Sequence, residues 1–150
     1  MADIVDPPTR SRMMAGIKSI NTKPERELRT ALHALGFRYR LHPKEIVGRP
    51  DLVLPKYKSV VFVHGCFWHR HKGCRYATAP ATRPEFWQTK FASNVARDAR
   101  VAAELRSAGW RMVTVWECAI RREGAPKIAE WIASWLPSGG DELVVGLPTE

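Results

Sequence analysis

No apolar run in this chain approaches the length of a membrane span, and its start, MADIVDPPTRSRMM, lacks the apolar core of a secretory signal. A cytoplasmic protein is therefore expected. Acidic residues are scarce beside basic ones: 15 Asp and Glu face 24 Lys and Arg, a formal net charge of +9. That balance suits a polyanionic partner, nucleic acid or an anionic membrane surface. The 3 cysteines cannot all pair within one chain, which leaves metal ligation, a reactive thiol or burial for Cys66, Cys74 and Cys118. Neither Cys-x-x-Cys nor His-x-Glu occurs, which disfavours a zinc deaminase. Basic residues are missing from positions 137–150, a tail expected to be loosely attached and outside any site. Internal repeats are absent too, and 150 residues suit one domain with one core.

What is present reads as an ordered series of elements. Met13, Met14 and Ile17 lie among Arg10, Arg12 and Lys18, as in a short basic helix serving as an arm over residues 1–20. Thr22 and Glu25 have capping-box spacing, and Leu28, Ala31, Leu32 and Leu35 follow at helical intervals before Gly36. Phe37, Tyr39 and Leu41 alternate with Arg38 and Arg40, while Asp51–Leu54 and Val60–His64 flank a turn-like Pro55–Ser59. Three antiparallel strands are predicted. Cys66–Ala81 shows no period and is read as a loop dense in Cys, His, Arg and aromatic residues. Thr82 and Glu85 repeat the capping-box spacing before Phe86, Phe91, Val95, Ala102 and Leu105, a long helix. A strand at Trp110–Trp116 and an amphipathic helix at Pro126–Leu136 complete an α/β (α+β) body over residues 21–136. Its expected architecture is a single mixed sheet flanked by helices.

The candidate chemistry begins at Gly48-Arg49-Pro50-Asp51, which sets a carboxylate at the mouth of the apolar strand Leu52–Leu54. A strand end can fix a hard oxygen ligand for Mg²⁺, although an Asp after Pro is more often a turn residue. The next strand ends Val61-Phe62-Val63-His64-Gly65, without the acid and Lys that many nucleases of this build carry there. The main-chain carbonyl of Val63 and an imidazole would have to replace them. In the loop, Cys66, His71 and Cys74, with Cys118 farther on, suit a closed tetrahedral zinc site; buried apolar thiols are the alternative. Spacing alone does not choose a catalytic imidazole among His64, His69 and His71. Asn94 and Asp98, at i and i+4 on the long helix, offer a carboxylate partner to one of them, or a solvated charge for Arg97 or Arg100. Phe67, Trp68 and Trp87 could act as wedges into a weakly paired duplex, or simply pack in the core.

Taken together, these residues resemble the very-short-patch repair (Vsr) DNA mismatch endonucleases. The likeness runs through Arg10–Met14, Gly48–Asp51, the HGCFWH stretch at His64–His69, Pro80–Arg83, Glu85–Trp87, Asn94–Asp98, Gly109–Arg111 and Trp116–Cys118. It implies a PD-(D/E)XK restriction-endonuclease-like fold with a zinc-stapled loop. It further implies a nick 5′ of the thymine in a T·G mispair left by deamination of 5-methylcytosine. By the same resemblance, Asp51 and the Val63 carbonyl hold Mg²⁺, with Glu25 in the outer metal shell. His69 is the general base, Asp98 orients it, His64 belongs to the catalytic set, and Cys66, His71, Cys74 and Cys118 hold Zn²⁺. Phe67, Trp68 and Trp87 enter the DNA from the major groove, while the arm with Arg10, Arg12, Met14 and Ile17 lies across the minor groove. The implied setting is the nucleoid, with a repair polymerase and mismatch-repair proteins as further partners and a monomer as the acting form. Two departures stand out: Val63 occupies a position where the family has Thr, and Gly73 lengthens the spacing before Cys74.

Overall fold

The computed structural model describes residues 22–146. The first helix, α1 (Lys23–Ala34), is capped by Thr22, whose Oγ1 accepts the Glu25 N–H at 3.4 Å. Leu28 and Leu32 on its inner face have no solvent exposure. The chain then forms β1 (Arg40–Leu41), β2 (Leu52–Leu54) and β3 (Ser59–His64), antiparallel in succession as expected. A single 3₁₀ turn at Pro55–Tyr57 separates β2 from β3, with Lys58 in the left-handed region at φ 50°.

Helix α2 (Pro84–Ser107) crosses over to β4 (Arg111–Trp116), which pairs parallel with β3 over its whole length. The expected capping box at Thr82 gives way to an N-cap at Arg83, itself left-handed and without a side-chain cap bond. Two helices follow β4 directly. The first, α3 (Glu117–Glu123), occupies residues for which the sequence predicted no element, and Gly124 separates it from α4 (Ala125–Trp135).

The tail departs most from expectation. Residues Glu142–Val145 form β5, parallel to β4, so the sheet runs β1-β2-β3-β4-β5 and the fold does not end at residue 136. Arg111 ties this strand's approach down, donating from Nε to the Gly140 carbonyl at 2.6 Å and from Nη1 to that of Leu136 at 2.8 Å.

Alternation along the strands gives the sheet two apolar faces. Leu52, Leu54, Val61, Val113 and Val115 pack against α1, α3 and α4, whereas Val53, Val60 and Met112 pack against Leu105 of α2. The C-terminal end of β3, the central strand, leads into the loop at 65–83, which meets α2 through His69–Asp98 and Trp68–Asn94. Among the described residues no helix is long and apolar enough to cross a membrane.

Candidate active site

Two groups of side chains meet where β3 ends. The first joins Glu25, His42 and Asp51, each offering a ligand atom within 4.8 Å of the others. Glu25 sits in the first turn of α1, but its carboxylate points into the fold and is only 1% exposed. It meets His42 Nε2 at 2.9 Å and Arg29 Nη1 at 2.9 Å. Asp51 accepts the Val63 N–H on Oδ2 at 2.6 Å. The Val63 amide thus fixes the Asp51 carboxylate, a contact separate from the ligand role expected of the Val63 carbonyl. Burial pushes the Asp51 carboxyl well above the usual range; the Val63 amide opposes the shift, and the neighbouring Glu25 carboxylate adds to it. Acids crowded this way form a place where a divalent cation offsets repulsion that protons otherwise must.

The second group is His64, His69 and Asp98. His69 Nδ1 lies 2.7 Å from Asp98 Oδ2, so Nδ1–H is the donor and the neutral ring keeps Nε2 as its acceptor. Burial works to raise the Asp98 carboxyl, but the His69 hydrogen bond and charge, with His64 and Arg97, outweigh it and hold the group below its ordinary value. His64 stacks on His69 with ring centroids 3.9 Å apart and planes within 5°. Its own imidazole is half-buried, with Nδ1 shut off from solvent, and is pushed down to about 3, which keeps it neutral. These rings border a cleft of about 290 Å³ whose apolar wall includes Phe62, Val95 and Met112.

The loop between the two groups and α2 is held at several points. Cys66, His71, Cys74 and Cys118 bring three sulfurs and one nitrogen within 4.8 Å of one another. His71 Nδ1 stands 3.4 Å from Cys118 Sγ, and the Cys118 N–H points at Cys66 Sγ from 3.4 Å. Burial pushes the Cys66 thiol far up. A cation is what would make thiolates tolerable at such a place, and the donor set fits tetrahedral zinc. Cys118 reaches the cluster because α3 begins at Glu117 and turns it back under the loop.

Sequence reasoning missed a second staple. Arg70, left-handed at φ 53°, donates to the carbonyls of Phe67, Ala77 and Thr78 and lies over the Phe91 ring at 4.0 Å. Asn94 completes the clamp by donating to the Trp68 carbonyl at 3.3 Å, one turn of α2 before Asp98. Phe67, Trp68 and Trp87 form one half-buried cluster with centroids 5.1 to 5.9 Å apart. Arg10, Arg12, Met14 and Ile17 lie outside the described residues. His42 was also missed; a lone His after a two-residue strand carries no signal of its own.

A mixed sheet with an acid pair at one strand's mouth, a carboxylate-held imidazole in the loop after the next and a cysteine-histidine staple defines a DNA endonuclease of the metal-dependent kind. The comparisons name the family: residues 2–75 match DNA mismatch endonuclease Vsr. The chain is 45% identical to the type II nicking enzyme V.XorIIP of Xanthomonas oryzae pv. oryzae, over 83% of this chain and 91% of that protein. It is 42% identical to the DNA mismatch endonuclease Vsr of Escherichia coli, over 88% of each chain. The chain belongs to the Vsr family. In fold it is similar to the catalytic domain of the homing endonuclease I-Bth0305I, with a TM-score of 0.54 at 21% identity, covering 80% of this chain and 100% of that one.

Proposed function

We propose that the protein nicks one strand of duplex DNA on the 5′ side of the thymine in a T·G mispair, initiating very short patch repair. The observation that carries the reading is the His69–Asp98 pair, whose imidazole stacks on His64, the residue that follows on β3 the amide that binds Asp51. The names of the Escherichia coli and Xanthomonas relatives, a mismatch endonuclease and a nicking enzyme, point the same way.

Asp51 and Glu25 are the residues that would hold Mg²⁺, with the Val63 carbonyl as a further ligand; when bound, the ion supplies Lewis-acid charge at the phosphoryl group. His69 Nε2 takes the proton of the attacking water. Asp98 keeps the ring in the one tautomer that leaves Nε2 free, and stabilises the imidazolium that results. His64, neutral and stacked, supports that ring without adding a second positive charge. Zn²⁺ on Cys66, His71, Cys74 and Cys118 would act as a structural staple for the loop. Phe67, Trp68 and Trp87 are then poised to enter the stack, at an unstacking cost of a few kcal/mol that is smallest at a mispair. The products, a 5′-phosphate and a 3′-hydroxyl, suit a repair polymerase acting in the nucleoid, and an asymmetric target suits a monomer.

The test uses end-labelled duplexes that differ in a single base pair, T·G against T·A and C·G, in several flanking contexts with Mg²⁺. One nick 5′ of the mispaired T is expected, abolished by EDTA. His69→Ala should bind the same duplex and cut roughly 10²–10⁴-fold more slowly. Equal cutting of all three duplexes would move the assignment to a general nickase, and binding without cutting to a non-catalytic DNA-binding module.

A further inference from the structure

The Glu25, His42 and Asp51 group contains a nitrogen donor that a hard magnesium site does not call for. His42 follows β1 in the left-handed region at φ 45°, and its N–H donates to the Asp51 carbonyl at 3.2 Å. Backbone and side chain therefore lock together: the same turn that anchors residue 51 aims the imidazole of residue 42 at Glu25. The His42 side chain is only 13% exposed, so the ring is withdrawn from water to reach this position. Its Nε2 and Glu25 Oε2 are 2.9 Å apart. That is a hydrogen-bond distance, and it is also the separation of neighbouring ligands on an octahedral ion with bonds of about 2.1 Å.

Charge sharpens the choice. Arg29 Nη1 also lies 2.9 Å from Glu25 Oε2, which partly neutralises the carboxylate on which a purely electrostatic ion would depend. Mg²⁺ binds through charge and oxygen, whereas first-row transition ions gain from imidazole nitrogen.

We propose that His42 is a direct metal ligand, making the acidic site a one-nitrogen, two-carboxylate centre that takes Mn²⁺ in strong preference to Mg²⁺. This rests on the reading of Asp51 and Glu25 as the metal site. The preference belongs to this side chain alone: replacing the imidazole by a carboxamide returns the site to oxygen donors that treat the two ions more evenly.

The test is Mn²⁺ titration of the zinc-loaded protein, following the free aquo-ion signal by electron paramagnetic resonance, with Mg²⁺ as competitor. His42→Gln should weaken Mn²⁺ binding by at least about tenfold, the lower end of what losing even an outer-shell partner costs, and shift Mg²⁺ binding by less than about twofold. Pulsed measurements on Mn²⁺ bound to the parent protein should show a ¹⁴N coupling, a readout that does not depend on the variant folding. That coupling should vanish in His42→Gln. Equal losses for both ions, or no nitrogen coupling in the parent, would overturn the proposal and leave His42 as a hydrogen-bond partner that orients Glu25. Coupling that persists in His42→Gln would place the ion on His64 and His69 and overturn it as well. Asp51→Ala separates the two failures, because unchanged Mn²⁺ affinity there would overturn the metal-site reading itself.

Discussion

His64 occupies the least hospitable position for a charge in this site. One face stacks on His69, Trp116 stands edge-on at 5.2 Å, and Nδ1 is buried with no hydrogen-bond partner. A proton there would have neither water nor an acceptor, which is why burial pushes this imidazole from 6.5 down to about 3. Between those values the unfolded chain binds a proton that the folded chain refuses. Stability is therefore unaffected above pH 6.5 and is lost as the pH falls below it. From pH 7 to pH 5 this one group should cost about 2 kcal/mol. Asp98, held below the ordinary carboxylate value, loses its contribution only at lower pH, outside that window. Asp51, whose raised carboxyl gains stability over the same interval, works in the opposite direction, so the readout is the difference in urea unfolding between parent and His64→Phe. On going from pH 7 to pH 5 the parent should lose about 2 kcal/mol relative to the variant, and equal changes would assign the acid sensitivity elsewhere. At this scale the sequence was legible where residues came in chemically matched sets. The three cysteines with His71 could be grouped on paper because their types demand partners, whereas spacing left the partner of Asp98 open among three histidines and only the family resemblance chose His69. His42 and Arg70 could not, since each acts through a left-handed turn that is invisible until the backbone is placed.

The connection between β1 and β2 shows what an element asks of a single residue. Gly48 is at φ +81°, where a side chain is strained, and a Cβ added there would run into the Val101 side chain on α2. The segment thus packs backbone against helix, with Ile46 buried beside Leu105, and delivers Asp51 to the site three residues later. Gly48→Ala should cost about 1–3 kcal/mol, combining the left-handed penalty with the overlap. Thermal melts would register the loss, and nicking should fall further than stability alone explains, because Asp51 moves with the segment. A variant as stable and active as the parent would show that α2 yields freely here. The antiparallel strands and long helices were legible because their apolar residues keep a period of two or of three to four. Helix α3 was not: its seven residues follow β4 without a break, and its N-cap, Trp116, makes no side-chain cap bond. Cys118 was consequently assigned to the cluster without a reason for its being able to get there.

Across the whole molecule, the order of the sheet makes the end of the chain part of its foundation. Strand β5 is only four residues long, Glu142–Val145, with no apolar alternation to mark it and a Gly139-Gly140 pair before it, so composition alone suggested a loose tail. Its pairing partner is nevertheless β4, the strand that also carries the parallel ladder to β3. Val145 is 6% exposed and belongs to the same core as Val115 and Ile132. Just beyond, Gly146 comes so near the cysteine-histidine corner that a Cβ would stand 2.9 Å from Trp116 Cδ1 and 3.1 Å from His71 Nε2. His71 in turn stacks on Trp116 at 4.2 Å. Removing residues 137–150 would strip β4 of its ladder on one side, free Arg111 from the Gly140 carbonyl and open the edge on which the Cys66, His71, Cys74 and Cys118 cluster rests. The truncated chain should therefore melt well below the parent and release zinc to a chelator at lower concentration, with both changes appearing together. A truncated protein that keeps its melting temperature and its zinc would show that the first four strands and the loop are self-sufficient. Loss of stability with zinc affinity intact would break the mechanical link from β5 to the staple that the stacking of His71 on Trp116 implies.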